Sequence, residues 1–146
     1  MQKKVGQEGE VHSFDAFAKH IDFLQETLKR NQINNVHAKN MAIAEKTGAM
    51  ELHIPDDTGK VSIKNRNNKS QTQSVRCMSL QEFLKKQNIK QVDFMKVDVE
   101  GAELDVVVGL GDDLDRVSNL VMGVHSEIID NASLFQLYTQ TRLIIP

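Results

Sequence analysis

Two carboxylates and a glycine that directly follow an apolar run are the residues of this chain best placed to do chemistry. The run Val92–Val97 is too short for a helix and has the pattern of a strand buried on both faces of a sheet. Asp98, Glu100 and Gly101 follow it, and a helical pattern then begins. Open α/β sheets hold their ligands where such strands end. We therefore expect Asp98 and Glu100 to face a ligand, and Gly101 to permit a tight turn or a close backbone approach.

A metal site and a helix end are the alternatives for these acids. Paired carboxylates can bind Mg²⁺ or Ca²⁺, but the spacing of Asp98 and Glu100 resembles no dedicated metal-binding loop, so no metal is predicted. Glu100 and Glu103 would also be favourable at the positive end of the following helix dipole. We prefer this second interpretation for Glu103 and a functional role for Asp98.

Further candidates follow two other predicted strands. Asp15 ends the first, where a carboxylate can offer two oxygens to the two hydroxyls of a ribose. The same position suits a helix N-cap, and the two roles are compatible. Asn119–Val124 is an apolar strand pattern that ends near His125 and Glu127. Either could be a general base, and the alternative for the histidine is a surface or capping side chain.

The stretch Asp93–Glu103, with the sequence DFMKVDVEGAE, resembles the signature of the FkbM-type methyltransferases. In that family an apolar strand usually ends in Lys-x-Asp-x-Glu-Gly-x-Glu. The resemblance implies an S-adenosylmethionine-dependent O-methyltransferase on a Rossmann-like sheet, with a hydroxyl of a sugar or natural product as the acceptor.

The resemblance also implies roles for individual residues. Asp98 would lie near the methionine end of the cofactor or near the acceptor hydroxyl. Asp15 would bind the ribose, although the Phe-Glu-Pro usual in the family is Phe-Asp-Ala here. The expected cofactor contacts are Asp15, Asn40, Ala42, Asp98, Glu100 and Gly101, with Asn40 and Ala42 lining the adenine. The catalytic candidates are Asp98, His125 and Glu127.

Alternating strand and helix patterns must position these side chains. Phe17, Ile21, Leu24 and Leu28 recur at the spacing of one helical face. Ser79 and Glu82 form a capping-box pattern at the start of another helix. The predicted strands are Glu10–Phe14, Val36–Ile43, Glu51–Ile54 paired with Val61–Ile63, Ser74–Met78, Val92–Val97 and Asn119–Val124, and further predicted elements are a loop over Lys64–Ser74 and a helix over Ala102–Leu110. This alternation predicts an α/β fold with a mostly parallel sheet and helices on both faces.

Length and composition bound the function. We expect the 146 residues to form one domain, residues 1–146. With 18 basic and 20 acidic residues and no basic run, electrostatics do not suggest nucleic acid as a partner. Cys77 is the single cysteine, which excludes an internal disulfide and favours a reducing compartment. No apolar stretch is long enough to span a bilayer, and no signal-peptide pattern opens the chain. We expect a cytoplasmic protein.

One expected feature is missing from the sequence. Such a methyltransferase begins with a strand and a glycine-rich turn near the methionyl part of the cofactor, and nothing before Asp15 supplies them. We therefore expect a fold truncated at the N-terminus, which predicts poor stability or association into a homo-oligomer. The alternative function is a catalytically inactive remnant of the fold that serves as a binding or interaction module.

Overall fold

The computed structural model describes residues 5–6, 8–55, 70–99, 101–123 and 143–144. The chain divides into two compact units, Met1–Ala42 and Ile43–Pro146. The prediction of a single domain stays a prediction.

The first unit contains a strand, a helix and a parallel strand. Strand β1 (Val11–Asp15) leads into helix α1 (Ala18–Arg30), and β2 (Val36–Asn40) returns beside β1. The register runs from Val11 opposite Val36 to Asp15 opposite Asn40. The carboxyl ends of both strands therefore lie at one edge, as the sequence predicted for this segment.

Helix α1 follows its predicted apolar face. Ile21 is buried, Leu24 and Leu28 are half-buried, and the cations Lys29 and Arg30 occupy the last turn, where they favour the negative end of the helix dipole. All five residues of β1 are half-buried. The strands β1 and β2 of this unit are therefore only partly buried.

The next three strands along the chain form a sheet in the order β3-β5-β4. Its strands are β3 (Ala42–Ile43), β4 (Gly48–Pro55) and β5 (Ser70–Met78). Strands β4 and β5 are antiparallel, from Gly48 opposite Cys77 to Pro55 opposite Ser70. The buried side chains of this ladder include Leu52, Val75 and Cys77.

Two sequence predictions in this region are wrong or incomplete, and a third stays untested. Strand β4 pairs with β5, and its predicted pairing with Val61–Ile63 stays a prediction because those residues lie outside the described ranges. Residues 70–74 of the predicted loop belong to β5; Gln71 to Ser74 are exposed, so their pairing rests on the backbone ladder and gives no hydrophobic signal. The predicted strand Val36–Ile43 is divided, because a turn in which Met41 N–H donates to Lys39 O (3.0 Å) takes Ala42–Ile43 into another sheet.

The capping box predicted before helix α2 (Leu80–Lys86) is half correct. Ser79 Oγ accepts the Glu82 amide at 3.3 Å. The reciprocal bond runs through Thr47: the Ser79 amide donates to Thr47 Oγ1 (3.1 Å), and that hydroxyl donates to the Glu82 carboxylate. Hydrogen bonds from Lys86 and then Thr47 hold the pKa of Glu82 below its usual value.

The rest of the second unit carries another parallel pair. Strand β6 (Met95–Val97) is followed by helix α3 (Glu103–Val108) and a 3₁₀ helix (Gly111–Arg116). Strand β7 (Leu120–Met122) returns parallel to β6, and β8 (Leu143–Ile144) is parallel to β7. Together with β1–α1–β2, this confirms an α/β protein with small parallel sheets.

Strand β6 differs from its predicted form. It is shorter than Val92–Val97, because Val92 forms only an isolated bridge with Val117. It is also not buried on both faces: Val97 is buried, whereas Lys96 is exposed and Phe94 is 45% exposed. The apolar sequence of this segment therefore predicts more burial than the structure shows.

Candidate functional site

The carboxylate of Asp15 lies at the end of β1 and accepts hydrogen bonds on both oxygens. Oδ1 accepts the Phe17 amide at 2.8 Å. Oδ2 lies 2.9 Å from Nδ1 of His20, in the first turn of α1. The side chain remains 39% exposed. Asp15 therefore supports the entry into α1, as its N-cap alternative suggested, although Phe17 is the N-cap residue and Asp15 lies two positions before it.

Asn40 holds the same turn from the neighbouring strand. Its Nδ2 donates to the backbone carbonyls of Asp15 (3.0 Å) and Ala16 (2.9 Å), in the turn between β1 and α1. The predicted cofactor residues Asp15 and Asn40 are thus brought together in register, and the buried Ala42 follows two positions later. We call Asp15, Phe17, His20 and Asn40 the β1 edge.

A second carboxylate, that of Asp98, lies just beyond β6. Its Oδ2 accepts a hydrogen bond from Lys96 Nζ at 2.9 Å, because residues two apart project from the same face of a strand. Gly123 follows β7, and a Cβ there would lie 3.1 Å from Asp98 Oδ1. Glycine therefore leaves room for the Asp98 carboxylate beside the end of β7.

The turn between β6 and α3 depends on Gly101 and Glu103. Gly101 has φ +103°, a conformation that strains any residue with a Cβ. Its amide donates to Glu103 Oε1 at 3.0 Å, and Glu103 is fully buried. Glu103 thus holds the turn from the inside, which goes beyond the helix-dipole role predicted for it. We call Lys96, Asp98, Gly101, Glu103 and Gly123 the β6 edge.

Both edges can be compared with known families. The model of the family described as "Methyltransferase FkbM domain" matches residues 1–138. The chain belongs to the FkbM methyltransferase family. This confirms the resemblance carried by the signature around Asp98 and supports a methyltransferase. No curated protein and no solved structure matches the chain.

Three predicted site residues of this FkbM-family chain, Glu100, His125 and Glu127, lie outside the described residues. The strands that precede these residues are adjacent, since β7 pairs with β6 and Gly123 N–H donates to Val97 O at 2.9 Å. Their roles stay predictions.

The sequence interpretation missed the contact of His20 and the burial of Glu103 in this FkbM-family chain. His20 contacts Asp15, and the available signal was a histidine one helical turn beyond an acid that precedes the helix. Glu103 is buried, and a charged residue at a helix start gives no sequence signal of burial.

A stacked histidine pair lies further back along β1 and β2. The rings of His12 and His37 are 5.1 Å apart at 25°, and Glu10 Oε2 lies 3.6 Å from His12 Nε2. Burial, and then the nearby charge of His37, lower the pKa of His12. In the described ranges no group of three or more His, Cys, Asp or Glu side chains is arranged to hold a metal ion.

No helix in the described part of the chain combines the length and apolarity that a membrane crossing requires.

Proposed function

We propose that this FkbM-family chain is an S-adenosylmethionine-dependent O-methyltransferase whose acceptor is a hydroxyl of a sugar or natural product. The family match carries the reaction class. Our proposal adds the cofactor, the oxygen acceptor and a Rossmann-like arrangement of the parallel strands, and it includes a cytoplasmic location.

The β1 edge supports the choice of cofactor. A carboxylate offers about four acceptor positions, and Asp15 uses one on each oxygen, toward Phe17 and His20. One position per oxygen is left for the two hydroxyls of a ribose, and the half-exposed side chain is accessible to them. The residues present therefore fit a nucleoside ribose.

Asn40 has a supporting role in this proposal. Its amide nitrogen donates two hydrogen bonds to backbone carbonyls of the β1–α1 turn. It fixes the position of Asp15 relative to β2. The adenine contacts proposed for Asn40 and Ala42 would lie at the carboxyl end of β2 and just beyond it.

Methyl transfer asks little of the protein besides alignment and a proton acceptor. The bound cofactor supplies an electrophilic methyl group on a positively charged sulfur. Asp98 is proposed to accept the acceptor hydroxyl's proton or to favour that positive charge, with Lys96 holding one carboxylate oxygen in place. Glu127 and His125 remain proposed alternatives for the base, and Glu100 and Gly101 remain proposed cofactor contacts.

Calorimetric titration of S-adenosylmethionine and S-adenosylhomocysteine into the chain tests the proposal. We expect saturable binding that weakens about a hundredfold in Asp15→Ala, because two hydrogen bonds to a charged acceptor are lost. Asp22→Asn is the matched control, since it removes an exposed carboxylate elsewhere on α1. A folded wild-type chain that binds neither compound would overturn the proposal and favour a non-catalytic binding module.

Turnover tests the role of Asp98 once an acceptor hydroxyl is found. Asp98→Asn keeps the side-chain shape and removes the base and the charge, so methyl transfer should be abolished while S-adenosylhomocysteine still binds. Unchanged turnover in this variant would exclude Asp98 from catalysis.

A further inference from the structure

We propose that His20 is a positioning residue for ribose binding, which clamps the Asp15 carboxylate in the orientation that the cofactor requires; this inference rests on the proposed function. His20 lies outside the signature Asp93–Glu103, and its contacts in the structure single it out.

The clamp consists of two donors on one carboxylate. The Phe17 amide fixes Oδ1 at 2.8 Å, and His20 Nδ1 fixes Oδ2 at 2.9 Å. The terminal torsion of an aspartate is broad and roughly two-fold. A single backbone contact would leave Oδ2 free to move about that torsion, whereas the second donor fixes the plane of the carboxylate. His20 therefore determines where the remaining acceptor positions of Asp15 point.

Phe17 holds the histidine in turn. The two rings meet edge to face, with centroids 5.0 Å apart and planes at 85°. The His20 amide also donates to Phe17 O at 3.0 Å in the first turn of α1. His20 is 59% exposed, so these contacts and Asp15 orient a side chain that solvent would otherwise leave mobile. Phe17 thus contributes to both halves of the clamp, through its amide on Asp15 and its ring on His20.

Fixing the carboxylate before the ligand arrives raises affinity, because less rotational freedom is lost on binding. One hydrogen bond of this kind corresponds to about a fivefold change in affinity. The effect should therefore be clearly smaller than that of removing Asp15 itself. It should depend on a donor at the position of Nδ1 and not on the imidazole ring as such.

Calorimetric titration of S-adenosylhomocysteine into three variants separates these features. His20→Phe keeps an aromatic edge against Phe17 and removes the donor, and we expect about fivefold weaker binding. His20→Asn loses the ring but places an amide donor close to the position of Nδ1, and we expect affinity within about twofold of wild type. Lys29→Asn introduces the same residue in the exposed last turn of α1 and should bind as wild type does.

Nitrogen NMR of the His20 ring tests the clamp without any ligand. In the wild-type chain we expect the tautomer protonated on Nδ1, and in Asp15→Ala a shift toward protonation of Nε2. A ring tautomer that is the same in both chains would overturn the clamp, as would His20→Phe binding like wild type or His20→Asn binding as weakly as His20→Phe. A folded wild-type chain without affinity would overturn the proposed function and the role of His20 within it.

Discussion

The β1 edge and the β6 edge share one arrangement, an acid at the end of a parallel strand followed by a turn and a helix, yet different groups hold them in place. At the β1 edge Asp15 itself accepts the amide that begins the turn, and Asn40 holds the backbone from the neighbouring strand. At the β6 edge the turn amide goes to a separate, buried carboxylate, that of Glu103. Asp98 pairs with Lys96 at the surface.

The difference concerns how structure and proposed chemistry are distributed. Asp15 has a structural role and a proposed ligand-binding role, so every substitution there should disturb the turn as well as the proposed ligand contact. At the β6 edge they are divided: Glu103 holds the turn, and the proposed chemistry belongs to Asp98. Stability and activity should therefore respond separately to substitutions at the β6 edge.

Glu103→Ala should give the largest loss of stability, about 3 kcal/mol in the free energy of unfolding. The substitution creates a cavity at a fully buried position and leaves the Gly101 amide without its acceptor. Urea denaturation measures the loss. Glu103→Gln keeps the volume and an acceptor oxygen and should lose less, whereas Glu51→Ala, at an exposed position of β4, should be close to neutral. A change below about 1 kcal/mol in Glu103→Ala would refute the structural role of Glu103.

Gly101→Ala should follow, with a loss of about 2 kcal/mol. The φ of +103° at Gly101 is unfavourable for alanine, so the turn must shift or remain strained. Gly48→Ala is the matched control, since a Cβ there would meet no heavy atom within 4 Å. Equal urea midpoints for the two variants would show that the turn does not need glycine.

How far sequence reasoning reached also differs between the two edges. The positions of both acids could be predicted, because a strand pattern followed by a helical pattern locates a strand end. The contacts of Asp15 with His20 and of Asn40 with the turn could not, since they depend on side-chain directions and on the register between β1 and β2.

Burial was predicted less well than element type. Val92–Val97 was expected to be buried on both faces, yet Lys96 and Phe94 are exposed, whereas the charged Glu103 is buried. Apolar periodicity indicates which face of a segment can be buried, whereas tertiary packing determines which side chains are buried in the folded chain. The polar first half of β5 gave no strand signal for the same reason: its pairing with β4 is made by backbone groups.

The stability of the first unit should depend on pH through His12, with a smaller effect than either substitution above. Burial and the charge of His37 lower the pKa of His12 from its usual 6.5, so the unfolded chain binds this proton at a higher pH than the folded chain does. The contribution of His12 to the stability of the folded chain is therefore complete above about pH 6.5, and it is lost as the pH falls below that value.

For the wild-type chain, the urea midpoint should be higher at about pH 7.5 than at about pH 5. The difference between the two midpoints should be smaller for His12→Asn. His53→Asn is the control, because it removes a half-buried histidine from β4 in the other unit. Equal pH dependence in wild type and His12→Asn would assign the effect to other groups.

Lys96→Met should have the smallest effect, a change within about 0.5 kcal/mol in the free energy of unfolding. The Lys96–Asp98 pair is 2.9 Å long, but its side chains are 54% and 47% exposed, so solvent screens the attraction. Methionine keeps the apolar stem of the side chain on the exposed face of β6. Lys90→Met, at another exposed position, should behave alike in urea denaturation. A loss above about 1.5 kcal/mol in Lys96→Met alone would mean that the surface pair also holds the fold, and the division of roles between Glu103 and Asp98 would then be wrong.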